Sequence, residues 1–227
     1  MDGKIFVTSD LHFNHNKDFI WRDRGFESIN EMNEEIISRW NSVVGANDDI
    51  YVLGDLMLGD NESGINCLRR LNGRIHVVLG NHDTPVRQSI YLEMPNIVEV
   101  EWAIMLPYKK YHFFLTHYPC MTGNYDDKSL KYCVINLCGH IHTKNKYRDM
   151  DKGLIYHVDL DAHNCYPVLL DDVIEELKSL PRPAKPIEES RCGNCAHGIT
   201  CRGFYVSNSN GACPDYVKDP PDGGFYG

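Results

Sequence analysis

Apolar and polar positions along the chain fall into two regimes. Three short apolar runs, Ile5-Phe6-Val7, Ile50-Tyr51-Val52-Leu53 and Ile75-His76-Val77-Val78-Leu79, have the length of buried strands. Between the first two, Ile29, Met32, Ile36, Ile37, Trp40, Val43 and Val44 recur at helical spacing, with Glu31, Glu34, Glu35 and Arg39 on the opposite face. Cys67, Leu68 and Leu71 predict a shorter helix that ends near Asn72-Gly73. Thr84-Pro85 reads as an N-cap followed by proline at the first helical position, opening a helix to about Met94. This alternation implies parallel strands joined by right-handed crossovers.

Beyond it the pattern changes. Residues 97–106, 111–116, 134–138, 154–159 and 167–170 read as strands with little helix between them. Asp171 to Leu180 reads as a closing helix with Val173, Ile174, Leu177 and Leu180 on its apolar face. The expected fold is α/β: a four-layer αββα sandwich, two mixed β-sheets flanked by helices, over residues 1–180. Pro181-Arg182-Pro183-Ala184-Lys185-Pro186 opens a stiff, extended linker over 181–190. Residues 191–227 form a small Cys-rich appendage.

Metal-ligand residue types stand directly behind five of the predicted strands. They are Asp10-Leu11-His12, Gly54-Asp55, Gly80-Asn81-His82-Asp83, Thr116-His117 and Gly139-His140-Ile141-His142. Ligands in open parallel sheets gather beyond the carboxyl ends of the strands, so these segments should converge. Asp10 and His12 are two apart, which in extended backbone puts both side chains on one side, and His140 and His142 repeat the spacing. Glycines beside Asp55, Asn81 and His140 allow tight turns there. Carboxylate, imidazole and amide oxygen suit Mn, Fe, Zn, Co or Ni, with no thiolate in the set to force one choice. Two metals that share a carboxylate sit about 3.5–4 Å apart and can clamp a phosphate while activating a water.

Asp-x-His, Gly-Asp, Gly-Asn-His-Asp, a lone His after a strand and Gly-His-x-His, in that order, resemble the calcineurin-like metallophosphoesterase superfamily. The resemblance covers roughly residues 4–180 and is nearest to its small, single-domain bacterial and phage-type members, which lack a large cap. It implies a dinuclear-metal-dependent phosphoesterase acting on phosphate mono- or diesters through a metal-bridging hydroxide. It also implies roles: Asp10, His12 and His142 on one metal, Asn81, His117 and His140 on the other, and Asp55 bridging. His82 would stand at the leaving oxygen as a general acid or a donor to the phosphoryl oxygens. Asp83 would orient His82, while a helix N-terminal carboxylate reading of Asp83 stands beside that one. No matched motif position departs from the family pattern.

The remaining candidates are less patterned. His15 lies just past the first ligands and either touches substrate or packs under the site. Arg22 and Arg24 could hold a phosphate oxygen in bidentate fashion, or form local ion pairs in a solvated loop. Tyr118 follows His117 and either stacks on a substrate ring or packs. His76, His112, His157 and His163 lie outside any motif and read as ordinary.

Charge and cysteine usage narrow the partners. A formal charge of -9 disfavours a general nucleic-acid or anionic-membrane binder. The expected partner is a small phosphate ester or a nucleotide. No signal peptide and no membrane-spanning apolar run is read, so a cytoplasmic protein is expected. Of nine cysteines, Cys67, Cys120, Cys133, Cys138 and Cys165 are scattered among apolar residues as small hydrophobes. Cys192, Cys195, Cys201 and Cys213 cluster in the tail, where structural zinc is the leading expectation and an iron–sulfur cluster or disulfides are alternatives. A competing reading keeps the phosphoesterase fold as a scaffold or nucleic-acid-processing protein, with this tail as the interaction module.

Overall fold

The computed structural model describes residues 3–120, 134–148 and 154–179. The linker and the tail, with Cys192, Cys195, Cys201 and Cys213, lie outside the described residues.

Among the described residues, ten strands and five α-helices follow in chain order: β1 Ile5–Thr8, α1 Asp18–Trp21, α2 Ile29–Val43, β2 Asp49–Leu53, α3 Asn61–Leu68, β3 Arg74–Val78, α4 Pro85–Leu92, β4 Ile97–Glu101, β5 Ile104–Tyr108, β6 Tyr111–Leu115, β7 Val134–Cys138, β8 Tyr147–Arg148, β9 Leu154–His157, β10 Val168–Leu169 and α5 Leu170–Ser179. They form two five-stranded sheets, ordered β10-β1-β2-β3-β4 and β5-β6-β7-β9-β8. In the first, β1 to β4 are parallel and β10 is an antiparallel edge. In the second, β6, β7 and β9 are parallel, with β5 and β8 as antiparallel edges. This is the expected α/β sandwich of two mixed sheets with helices.

Helix starts follow local chemistry. Ser28 caps α2 by accepting from Glu31 N, while the Glu31 carboxylate accepts from Glu27 N at 2.7 Å. Asp60 caps α3 through Ser63 N. Thr84 caps α4 through Arg87 N, with Pro85 in its first turn.

The strands of the first sheet bury both faces. Phe6, Ile50, Val52, Ile75 and Val77 pack with Met32, Ile36, Trp40, Leu68 and Tyr91 of the helices. Their neighbours Val7, Tyr51, Leu53 and Val78 turn to the other side and pack with Phe113, Leu115, Ile135, Leu137 and Tyr156 of the second sheet and with Val173, Ile174 and Leu177 of α5. Burial on both sides is why these strands read as continuous apolar runs.

One expected strand is two. The run 97–106 breaks after Glu101: β4 pairs parallel with β3, and β5 pairs antiparallel with β6 in the other sheet. Apolar alternation runs through the break because both halves face a core, and Trp102 at the crossing is 70% exposed. Helix α1 and the two-residue strand β8 were not foreseen in the pattern.

Candidate metal centre

The ligand segments are the loops leaving β1, β2, β3, β6 and β7, at the carboxyl ends of their parallel strands. The first two loops run side by side past the sheet: Asp10 N donates to Gly54 O, His12 N to Asp55 O and Phe13 N to Leu56 O, at 3.0, 3.0 and 3.1 Å. The backbone here is not extended as the spacing suggested. Asp10, His12, Asp55, His140 and His142 all have left-handed φ, between 48° and 76°. Such residues cost of order 1 kcal/mol or more each and concentrate where a site over-determines them. Gly54, at φ 89°, allows a close approach, since a Cβ there would meet His117 Nδ1 at 2.4 Å.

Seven side chains converge in two sets. His12 Nε2 and His142 Nε2 lie 3.0 Å apart, at 3.7 and 3.6 Å from Asp10 Oδ1. His117 Nε2 lies 2.9 Å from Asn81 Oδ1 and 3.2 Å from His140 Nδ1. Asp55 Oδ2 stands between the sets, 3.7 Å from His12 Nε2 and 3.6 Å from His117 Nε2. The donor atoms of Asp10, His12 and His142, and those of Asp10, Asp55 and His117, are mutually within 4.8 Å. Such crowding of lone pairs makes sense around cations.

The donor set fits divalent metals on a further count. Asp10 is fully buried; its Oδ2 accepts from His140 N at 2.9 Å, but its Oδ1 has no hydrogen-bond partner. A buried carboxylate oxygen without a partner is costly unless a cation meets it. Burial alone would push the Asp10 carboxyl up, yet the neighbouring imidazoles of His12, His142 and His117 hold it far below the usual range. Asp55 is raised by burial in the absence of a cation.

Groups behind the ligands fix their tautomers. His117 Nδ1 is 2.8 Å from Leu53 O, so it carries the proton and leaves Nε2 as the lone-pair donor. His142 Nδ1 bonds Asp161 Oδ2 at 3.0 Å, with the same consequence. Burial would lower His142, but the Asp161 bond and the charges of Asp10 and Asp161 raise it. His12 Nδ1 meets His15 Nδ1 at 3.1 Å. Burial and the nearby His82 and His142 lower His15 to about 4, and a neutral His15 can accept from His12 Nδ1 and leave the lone pair on His12 Nε2. His15 thus supports a ligand.

His82 is not drawn into either set. It is 41% exposed, with Nε2 3.9 Å from Asp55 Oδ2, while its backbone N donates to Asp55 Oδ1 at 2.9 Å. The hydrogen bonds of Asp83 go to partners other than the His82 ring. Asp83 is buried and accepts from Asp55 N, Gly80 N, Leu56 N and Tyr91 Oη at 2.8, 2.8, 3.3 and 2.8 Å. It shapes two ligand loops from behind, because its strand-end position faces backbone N–H groups that lack other partners.

The arginines divide. Arg22 pairs with Asp18 on the surface at 3.0 Å and lies over Trp21. Arg24 lies beneath the site, its side chain 1% exposed. It donates to both Asp161 oxygens, to Asp10 O at 2.7 Å, to Leu11 O at 3.2 Å and to Met32 Sδ at 3.8 Å. No donor is left for a phosphate. Tyr118, 48% exposed, packs edge-on against His117 and His140 at 5.0 and 4.6 Å. Asp159 and Asp161 were missed by the sequence reading. They follow β9, a further parallel strand, and the same strand-end rule would have found them.

Residues 3–171 match the family model described as calcineurin-like phosphoesterase. An uncharacterized protein of Methanocaldococcus jannaschii, MJ1445, is 32% identical over 177 residues, covering 76% of this chain and 90% of that protein. Gene 66 protein of Mycobacterium phage D29 is 26% identical over 202 residues, covering 78% of this chain and 98% of that protein. Among solved structures, a protein of unknown function from Aquifex aeolicus, AQ665, shares the fold with a TM-score of 0.61 at 19% identity, over 77% of this chain and 99% of that one. The family match runs from before β1 into α5 and takes in every one of the five ligand segments, and on that match the chain belongs to the calcineurin-like phosphoesterase family.

Proposed function

We propose that this protein is a dinuclear-metal phosphoesterase that hydrolyses phosphate mono- or diesters. The observation that carries the reading is Asp55 Oδ2, nearly equidistant from His12 Nε2 and His117 Nε2, one in each donor set. Asp10, His12 and His142 would hold one ion, Asn81, His117 and His140 the other, and Asp55 both. Bound there, divalent ions lower the pKa of water and neutralise charge on phosphoryl oxygens.

The chain's own residues do the rest. Leu53 O, Asp161 and His15 keep three imidazoles in the tautomer that presents a lone pair. Asp83 holds the Gly-Asp and Gly-Asn-His-Asp loops in register, so Asp55 and Asn81 keep their places. His82, partly exposed beside Asp55, would give a proton to the leaving oxygen or bond the phosphoryl group. No covalent intermediate with the chain is required. A cavity of about 570 Å³ opens over Asp55, Asn81, His82, His140 and His142, large enough for a small ester.

The test is release of p-nitrophenol from bis(p-nitrophenyl) phosphate and p-nitrophenyl phosphate by the full chain loaded with Mn²⁺, Zn²⁺, Co²⁺ or Ni²⁺. Hydrolysis that disappears in Asp55→Ala is expected. No hydrolysis of either ester with any of these metals would contradict the reading.

A further inference from the structure

The cavity over the ligands has an outer wall that the hydrolytic reading does not use. Phe19, Asp23 and Lys144 line it, together with the metal-set residues at its floor. Phe19 sits in the single turn of α1, whose next two residues, Ile20 and Trp21, are buried at 4% and 8% exposure. Phe19 itself is 63% exposed. The turn buries its other apolar side chains and holds this ring out at the cavity. The ring's one aromatic contact among the described residues is T-shaped, to His15 at 5.9 Å, and leaves most of the ring exposed. His15 in turn lies 5.1 Å from the His12 ring and 6.2 Å from that of His82, so Phe19 stands one side chain further out from both.

Two charges accompany the ring. Lys144 follows His142 by two residues and is exposed, and Asp23 follows Phe19 by four and is exposed. Neither makes an ion pair or hydrogen bond among the described residues, whereas Arg22 is paired with Asp18 and Arg24 with Asp161. An exposed aromatic ring, an unpaired carboxylate and an unpaired ammonium around one cavity match the parts of a nucleoside phosphate. The base stacks on a ring, a sugar hydroxyl donates to a carboxylate, and the phosphate is met by positive charge.

Resting on the phosphoesterase reading, we infer that the substrate carries a nucleoside, with the base stacked on Phe19, a sugar hydroxyl on Asp23, and Lys144 beside the phosphate. Asp23 disfavours further phosphates along that wall, so a nucleoside monophosphate ester fits better than a triphosphate.

The experiment uses the full Mn²⁺-loaded chain and two non-hydrolysable probes, the 5′-phosphonate of adenosine and the matching ribose phosphonate without a base. Calorimetric titration should show the adenosine compound binding roughly tenfold more tightly, the scale of one base–aromatic stack. Phe19→Ala should bring the ratio near one, and Phe19→Trp should keep it. Equal binding of the two probes, absence of binding by both, or a base preference that survives Phe19→Ala overturns the inference. Hydrolysis of bis(p-nitrophenyl) phosphate by the unsubstituted chain is measured alongside. Hydrolysis without base preference removes the stacking site alone. A Phe19-dependent base preference without hydrolysis of any ester supports the pocket and removes the esterase reading.

Discussion

Arg24 and Asp161 form a buried ion pair directly beneath the ligands, Nη2 to Oδ2 at 2.9 Å. The pair joins parts of the site that are far apart in sequence. Arg24 holds the carbonyls of Asp10 and Leu11, and Asp161 holds the imidazole of His142. One ion pair therefore sets both the first ligand loop and the last ligand of the same donor set. Burial would lower Arg24 and raise Asp161, but each is pushed the other way by its partner, Asp161 also by His142.

Asp161→Asn should weaken metal binding at this set by about 10–100-fold, the usual effect of losing a carboxylate behind a ligating histidine. Arg24→Ala should cost about 3–5 kcal/mol, because it strands a buried carboxylate. Mn²⁺ titration and chemical denaturation measure the two. Unchanged metal affinity in Asp161→Asn would show that the contact does not tune His142.

Asp83 accepts from three backbone N–H groups and Tyr91, and none of its bonds goes to the His82 ring. Tyr91→Phe should cost about 1 kcal/mol, and Asp83→Ala about 3 kcal/mol or more, since it leaves buried donors unpaired. Thermal unfolding gives both values. A variant Asp83→Asn that keeps full stability but shifts the pH–rate profile would support the orienting role.

Asp159 is fully buried, accepts from His142 N at 3.2 Å, and is raised to about 6 from the usual 3.8, by burial first and by the Asp10 charge, against an opposing bond to His157. Its pKa is higher folded than unfolded, so its contribution is fully present below the unfolded value and fades as pH rises through the folded one. Asp159→Asn stays neutral throughout. In metal-free protein, the variant should gain on the parent by on the order of 2 kcal/mol between pH 4 and pH 7. Denaturation of both at a series of pH values measures this, and a flat difference would count against it.

A Cβ at Gly139 would lie 2.2 Å from both Asp10 Oδ2 and Ser9 Oγ. Gly139→Ala should therefore displace Asp10 and weaken metal binding by at least on the order of tenfold, as for other disturbances next to a ligand. Circular dichroism should show the fold retained. Parental metal affinity in this variant would mean that Asp10 is not a ligand.

The clustering of the strand-end Asp, Asn and His residues was legible because each depends on local order: an apolar run, then a polar residue at the point where a parallel strand stops. The helices over α2 and α4 were legible for the same local reasons, a stripe and a cap. What failed was set by tertiary contact. The alternation over 97–106 carries no mark of which sheet each half joins, so the switch at Trp102 could not be read. Arg24 looks like a loop charge until Asp161, far along the chain, is brought under it. Asp10 and His12 converge through left-handed backbone instead of an extended one, a conformation that Asp and His tolerate more often than most residues but that the two-residue spacing does not announce.

The central claim is that one carboxylate, Asp55, joins two metal sites. Mn²⁺ titration of the full chain followed by electron paramagnetic resonance tests it most directly, since Mn²⁺ prefers oxygen and nitrogen donors to the cysteines of the tail. Two ions per chain with an exchange-coupled signal are predicted, and the coupling should vanish in Asp55→Ala. A single uncoupled ion, or two whose coupling survives Asp55→Ala, would contradict the account.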